Sequence, residues 1–253
     1  MKMVPRFRAK AIALVVCVFG LAGGWQSRSS AAEEVVAPPP QPDPHYTAVG
    51  FFDVRICNWP DQPRFVQALF STTKYDVVRK VEVLDPDGNR MGTLGLKRYR
   101  RIKQKNGSEK RVFITSFPLN PAAKGGWYTA RITTSDGKVY LARDLVMIRT
   151  LPAARNPQPA DNAENIAAPD YLSWDAVPGA KAYQVFVHDI WEDETMVFRS
   201  QHLTENRVKL PKGLLKPDGY YMWRVHARDV DEDVDLGDFN HGSLSPFFKF
   251  SVR

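Results

Sequence analysis

The sequence predicts an all-β protein built from two tandem antiparallel β-sandwich domains. Residues 220–227 alternate along a strand, with Tyr221, Trp223 and Val225 on one face and the residues between them on the other. No long stretch has apolar residues at helical spacing, which disfavours parallel α/β folds. Three Asp-Gly or Asn-Gly dipeptides separate β-rich runs and predict tight hairpins: Asp87-Gly88, Asn106-Gly107 and Asp136-Gly137.

The N-terminus has the order of a secretory signal peptide, residues 1–32. Its first ten residues carry four Lys or Arg, Ala11 to Gly24 is uncharged and apolar, and Ser30-Ala31-Ala32 offers small residues for cleavage. We expect a protein exported to the periplasm or the extracellular space. The alternative is an uncleaved anchor, although the apolar run is short for a span of about 20 residues.

The two cysteines allow no disulfide within the mature chain. Cys17 lies inside the apolar run, and Val16 before it departs from the small residue that a lipoprotein signal normally has, so lipidation is a minor alternative. Cys57 is then the single cysteine of the mature protein. We interpret it as a buried, inert thiol, with pairing to a partner left open.

Composition divides the rest of the chain into segments. Residues 33–45 are rich in proline and predict an extended spacer. Residues 46–150 form the first sandwich, and residues 151–168, rich in Pro, Ala and Asn, form a linker. Residues 169–253 form the second sandwich. We expect each sandwich to fold alone, because the linker holds few residues that could pack.

The first sandwich is predicted as an antiparallel meander. Phe65 to Phe70 is compatible with a strand or with a short helical turn. The run from Gly125 to Ile132, followed by Asp136-Gly137 and a last strand, looks like the closing hairpin of bacterial immunoglobulin-like domains. That resemblance implies a sandwich and covers this hairpin only.

The second sandwich is predicted from six strands and one turn. Leu215, Pro217 and Tyr221 stand where a tyrosine corner would place them, with a turn leading into a strand. At these residues the last third of the chain resembles a fibronectin type III domain. That family implies a scaffold for spacing, docking and binding, and it implies no reaction. The candidate strands are Tyr171–Trp174, Ala182–His188, Met196–Gln201, Arg207–Leu210, Tyr220–Asp229 and Phe247–Val252.

No catalytic motif and no cofactor motif is recognised in the sequence, so we expect a protein that is not an enzyme. The strand positions of His188 and His226 keep these two rings apart, and no histidine metal site is expected. Alternating acidic residues in the loop after residue 228 are compatible with Ca²⁺. However, Gly237 stands one place later than the glycine of the usual Asp-x-Asp-x-Asp-Gly turn, and no bidentate Glu follows. The candidate ligands are Asp229, Asp231, Asp233 and Asp235.

Charge is unevenly distributed between the two sandwiches. Residues 46–150 hold 19 Lys and Arg against 9 Asp and Glu, a net charge of +10, whereas residues 165–253 hold 10 against 14, a net charge of −4. One hairpin concentrates the positive charge in Arg98, Arg100, Arg101 and Lys103. It could contact another envelope protein or an anionic glycan or surface, or it could only protect a sheet edge. Nucleic acid is not expected for an exported protein, and membrane contact is expected only through an uncleaved signal or a lipid anchor.

Strand alternation also predicts an apolar outer face on the second sandwich. If Tyr183, Val185 and Val187 point inward, the residues between them point outward, and the same holds for the neighbouring strands. The outward set is Phe186, Tyr220, Met222 and Phe247. We predict an interface there, with a partner or with the first sandwich.

Two functions remain open at this point. The first hypothesis is a non-enzymatic adaptor or structural protein of the bacterial cell envelope. The alternative is a carbohydrate-binding accessory protein, with Trp191, which stands between acidic residues in a loop, as the aromatic contact.

Overall fold

The computed structural model describes residues 43–229 and 239–253, and all regular structure within these ranges is β-strand. The predicted signal peptide and most of the proline-rich spacer lie outside them. Among the described residues, no helix is long and apolar enough to cross a bilayer. The strands are β1 (Tyr46–Thr47), β2 (Gly50–Asn58), β3 (Phe65–Thr72), β4 (Val78–Leu84), β5 (Arg90–Thr93), β6 (Arg100–Lys103), β7 (Glu109–Pro118), β8 (Gly126–Thr134), β9 (Val139–Val146), β10 (Ala163–Ile166), β11 (Tyr171–Ser173), β12 (Ala182–Asp189), β13 (Thr195–Arg199), β14 (Arg207–Lys209), β15 (Tyr220–Arg228), β16 (His241–Leu244) and β17 (Phe248–Val252).

The first sandwich packs two sheets face to face. One sheet has the order β2-β3-β7-β6 and the other has the order β5-β4-β8-β9. Alternate residues of each strand point into the core between the sheets, where Phe52, Phe70, Val81 and Ile132 are fully buried. The segment Phe65 to Phe70, for which a helical turn was also open, is part of strand β3.

The three predicted hairpins are confirmed, whereas the predicted meander is wrong. The glycine of each hairpin has a positive φ of 80–84°, as a tight turn between antiparallel strands requires. Between hairpins, however, the chain crosses from one sheet to the other, so β3 pairs with β7 rather than with β4. Crossing between the sheets lets the two inner faces close over one core.

The second sandwich places the small sheet β11-β14 against the sheet that contains β13, β12, β15, β17 and β10. Strands β12 and β15 pair antiparallel along their whole length, with Val185 opposite Val225. Their inward residues surround Trp223, which packs against Trp174 with ring centroids 6.2 Å apart. The predicted strand faces are therefore confirmed.

A turn before β15 is closed by the hydroxyl group of a buried tyrosine. The backbone N–H of Lys216 donates to the Tyr221 hydroxyl oxygen at 2.8 Å. A Cβ at Gly219 would lie 2.6 Å from that hydroxyl, so only glycine fits beside the ring. This is the geometry that Leu215, Pro217 and Tyr221 predicted.

The prediction that residues 151–168 form a linker is wrong, because this segment packs on the second sandwich. Leu151 and Ala154 are buried in the second core. Further along, β10 pairs parallel with β17, with Ala163 opposite Phe250. Short apolar residues spaced among prolines gave no periodic signal, yet they fill the edge of the sandwich.

The two sandwiches share one continuous sheet. Strand β16 pairs antiparallel with β15 of the second sandwich and parallel with β2 of the first, with Gly242 opposite Cys57. Strand β16 was not predicted, because its sequence His-Gly-Ser-Leu has neither β-branched residues nor apolar alternation. Main-chain hydrogen bonds therefore cross the junction, and we revise the expectation that each sandwich folds alone.

At the start of the first sandwich, His45 is held between two carboxylates. Its Nδ1 lies 2.6 Å from Asp43 Oδ1 and its Nε2 lies 3.0 Å from Asp144 Oδ1. Burial disfavours the charged ring, but the hydrogen bonds and charges of Asp144 and Asp43 outweigh it and raise the pKa of His45 to about 9. His45 is therefore a charged bridge between the N-terminal segment and strand β9.

This bridge predicts a loss of stability at alkaline pH. A ring with a pKa of about 6.5 in the unfolded chain and about 9 in the folded chain stabilises the fold fully below pH 6.5. That stabilisation, about 2 kcal/mol once solvent screening is allowed for, is lost as the pH rises through 9. Between pH 6 and pH 9.5, the free energy of unfolding measured in urea should therefore fall more for the native protein than for His45→Gln. Equal drops in the two proteins would contradict the assignment.

Candidate interaction surfaces

The junction between the sandwiches is fixed by His241 of β16. Its ring Nδ1 lies 2.5 Å from Asp229 Oδ2, and its Nε2 donates at 2.5 Å to the carbonyl oxygen of Met147, the residue that follows β9. The backbone N–H of His241 also donates to Asp229 Oδ1 at 2.7 Å. The His241 ring therefore contacts Asp229 of the second sandwich through one nitrogen and the main chain of the first sandwich through the other.

Asp229 is therefore engaged by His241 and, at 3.7 Å, by Arg149. A carboxylate committed to a histidine and an arginine is poorly placed to bind Ca²⁺. The other three candidate calcium ligands, Asp231, Asp233 and Asp235, lie outside the described residues. Among the residues that the structure describes, no cluster of three or more His, Cys, Asp or Glu could hold a metal ion.

A second set of junction contacts surrounds Phe239. The guanidinium of Arg55 lies 4.5 Å from the centroid of this ring, that of Arg228 lies 5.1 Å away, and His226 meets it edge-on. Burial and the nearby arginines lower the pKa of His226 well below its usual value. The neutral His226 ring accepts from Arg228 through Nδ1, so a charged and aromatic cluster fills the space beside β16.

Cys57 lies in β2, two residues after Arg55, and is fully buried opposite Gly242 of β16. Burial raises the pKa of its thiol to about 12. The thiol therefore stays protonated and inaccessible, as the sequence predicted.

The predicted basic residues lie in β6 and just before it, at the end of the shared sheet. Arg98, Arg100, Arg101 and Lys103 are all exposed. Arg101 donates to the Tyr99 hydroxyl at 3.3 Å and lies 3.9 Å from Glu109. The four cations form a positive surface, which we call the basic edge.

Arg111 on β7 lies next to the basic edge and is held between two aromatic rings. The guanidinium of Arg111 lies 3.6 Å from the ring centroid of Tyr75 and 4.3 Å from that of Tyr99. Its Nε also bonds Glu109 at 3.0 Å. An arginine held between two rings loses little side-chain entropy when it meets an anion.

The structure separates the predicted apolar set Phe186, Tyr220, Met222 and Phe247: two of them line one cleft, Tyr220 lines a second and Phe186 lines neither. Met222 and Phe247 line a cleft of 480 Å³ together with Trp59 of the first sandwich, and Arg224 lies 4.4 Å above the Phe247 ring. The first sandwich therefore lies next to Met222 and Phe247 on the predicted apolar face. Phe186 is half-buried beside Arg224, and Tyr220 lines the second cleft.

The second cleft, which we call the Trp191 cleft, lies on the second sandwich and measures 470 Å³. Trp191 is 71% exposed, and its ring centroid lies 5.8 Å from that of Tyr220. Beside the apolar Ala163 and Val252, the other lining residues are polar: Asn162, Glu164, Asn165, Asp218 and Ser251. The sequence singled out Trp191 but not its neighbours, since they come from three segments far apart in the chain.

No family model matches the chain, and no curated protein matches it. Among solved structures, it is similar to Tp47, the 47-kilodalton lipoprotein of Treponema pallidum, at 12% identity over 83% of this chain and 52% of that one, with a TM-score of 0.38. It is also similar to alpha-2-macroglobulin of E. coli, at 11% identity over 81% of this chain and 14% of that one, with a TM-score of 0.26.

A third similar structure is the full ectodomain of mouse nectin-like molecule 4, at 12% identity over 79% of this chain and 63% of that one, with a TM-score of 0.24. The chain spans about half the length of the Treponema lipoprotein. All three TM-scores are below 0.5, so the all-β sandwich assignment stands on the strand pairing of this chain.

Proposed function

We propose that the protein is an exported, non-enzymatic adaptor of the bacterial cell envelope that holds two binding surfaces at a fixed separation. The observation that carries this proposal is the pairing of β16 with both β15 and β2, which makes one sheet of two sandwiches. A sheet that runs through the junction resists the bending that a flexible linker would allow. The N-terminal charge and apolar pattern supports export.

The second sandwich fits a fibronectin type III-like domain within this proposal. The hydroxyl of Tyr221 closes the turn before β15, and Trp174 packs in the core against Trp223. Domains of that kind dock and space other molecules, which suits an adaptor.

The basic edge is the proposed contact with an acidic envelope partner. Neutralising Arg98, Arg100, Arg101 and Lys103 to Gln should weaken association with envelope extracts at low salt. The effect should shrink above about 0.1 M salt, where the Debye length is about 10 Å. Pull-down across a salt series measures this.

A matched control changes the same number of charges on the second sandwich. It neutralises four exposed cations: Lys181, Arg199, Lys209 and Lys212. If this control weakens association as much as the basic-edge variant does, the contact is nonspecific. If neither variant changes association at any salt concentration, the basic edge serves only to protect the sheet edge and the adaptor proposal loses this contact.

A carbohydrate-binding accessory protein is the second candidate function. The specific observation in its favour is the exposed Trp191 next to Tyr220, with polar side chains around both rings. Aromatic rings bury the apolar face of a sugar while polar neighbours bond its hydroxyl groups.

A further inference from the structure

We propose that the Trp191 cleft binds a neutral oligosaccharide, an inference that rests on the second candidate function and names its site and ligand class. The Trp191 ring would pack on the apolar C–H face of one sugar ring. The surrounding amide and carboxylate groups would bond its hydroxyl groups.

The aromatic platform is held in place before any ligand arrives. The backbone N–H of Trp191 donates to Asp189 Oδ1 at 3.0 Å, and Asp189 is itself buried. The N–H of the preceding residue, Ile190, donates to the Tyr220 carbonyl oxygen at 2.8 Å. A large apolar side chain that is 71% exposed yet fixed at its backbone is suited to contact a ligand.

The two walls of the cleft are also fixed. On one side the Asn162 N–H donates to the Lys249 carbonyl oxygen at 2.7 Å, and the Asn165 N–H donates to Ser251 Oγ at 2.9 Å. On the other side, the turn that carries Asp218 is held by the Lys216 N–H, which donates to the Tyr221 hydroxyl at 2.8 Å, and by the Gly219 N–H, which donates to the Lys216 carbonyl oxygen at 3.1 Å.

Three residues with a positive backbone φ lie around the same cleft. Asn162, Asn165 and Asp218 have positive φ values of 60°, 53° and 57°. Asn and Asp tolerate this region better than other non-glycine residues but still carry a cost there. Strain of this kind is common where loops present side chains to a ligand.

The polar groups of the cleft remain available to a ligand. Within the described part of the chain, the side chains of Asn162, Glu164 and Asp218 form no hydrogen bond and no ion pair, and neither does that of Asn165. Amides and carboxylates offer both donors and acceptors, which is what a ring of hydroxyl groups requires.

Charge decides which class of sugar the cleft takes. Glu164 and Asp218 contribute two carboxylates, and Lys216 is paired with Glu192. Two carboxylates without a cation of their own repel sulfate, phosphate and uronate groups. A neutral sugar escapes this repulsion, so the Trp191 cleft and the basic edge select different ligands.

The test titrates the purified protein, expressed with its own N-terminus, with cellohexaose and chitohexaose as neutral probes and heparin as an anionic probe. Saturation-transfer NMR reports which sugar protons touch the protein, and calorimetry gives the affinity. Trp191→Ala should weaken binding of at least one neutral probe by about tenfold or more, a change of about 1.4 kcal/mol or more. Since Trp191 is exposed, the Trp191→Ala variant should unfold at the same temperature as the native protein.

The matched control is Trp127→Ala, which removes another exposed tryptophan, on β8 of the first sandwich. Neutral-probe binding that survives this control and fails in Trp191→Ala supports the assignment. If a neutral probe binds and Trp191→Ala binds it equally well, the carbohydrate-binding function stands and the cleft is wrong. If no neutral probe binds, or if only heparin binds, the neutral-sugar site is refuted.

Discussion

Gly242→Val should destabilise the whole protein and uncouple the unfolding of its two sandwiches. A Cβ at Gly242 would lie 2.4 Å from the Phe239 ring and 3.0 Å from His226 Nε2. Both rings pack in the junction cluster with Arg55 of β2, so making room for the added side chain disturbs the contact between β16 and β2. Overpacking of this kind costs about 1–3 kcal/mol, and the loss of pairing across the junction adds to it. We expect calorimetry to show one transition for the native protein and two for Gly242→Val.

The control for this change is Gly95→Val. Gly95 is exposed, and a Cβ there would meet no atom within 4 Å. It adds the same side chain without touching the junction, so its unfolding should stay within about 0.5 kcal/mol of the native value. Equal stability of the two variants would show that the β16–β2 pairing contributes little.

Residues 169–253 expressed alone should fail to fold. This fragment lacks Leu151 and Ala154 of the second core, and it lacks β10, which pairs with β17. Removing one buried leucine side chain alone costs about 2–5 kcal/mol, against a total domain stability of about 5–15 kcal/mol. Circular dichroism during heating should show no cooperative transition.

The longer fragment 149–253 separates the two contributions. It restores Leu151, Ala154 and β10 but leaves β16 without β2 and His241 without the Met147 carbonyl. We expect it to fold with a lower melting temperature than the whole chain. A transition of fragment 169–253 at the same temperature as that of fragment 149–253 would contradict the role of residues 151–168.

The elements with a local signal were predictable from the sequence. Glycines in Asp-Gly and Asn-Gly turns require positive φ, so they mark hairpins wherever they occur. The alternation of Tyr221, Trp223 and Val225 depends only on the side-chain period of a strand. The tyrosine corner depends on residues five apart, which the chain itself keeps close.

The elements that depend on distant contacts were not predictable. Strand β16 contains Gly242 and Ser243 because it lies between β15 and β2, where space is short, and small residues carry no strand signal. Residues 151–168 resembled a linker because their packing on the second core has no period. Polar pairs such as His241 with Asp229 give no pattern that distinguishes them from surface residues.

The candidate sites divide in the same way. The exposed cations of the basic edge all lie within residues 98–103, so the sequence alone identified them. Trp191 was found because it stands between acidic residues in a loop. The cleft around it joins segments near residues 162, 191, 218 and 251, and only the folded sheet brings them together.

The fixed arrangement of the two sandwiches is the central claim, and a distance measurement tests it most directly. Spin labels at Lys105→Cys and Lys212→Cys would stand on exposed positions of the first and second sandwich, in a Cys17→Ser background. Cys57 is buried and stays unlabelled. Pulsed electron paramagnetic resonance should give one narrow distance distribution, because a continuous sheet crosses the junction. A broad distribution, as two sandwiches on a flexible linker would give, would contradict the claim.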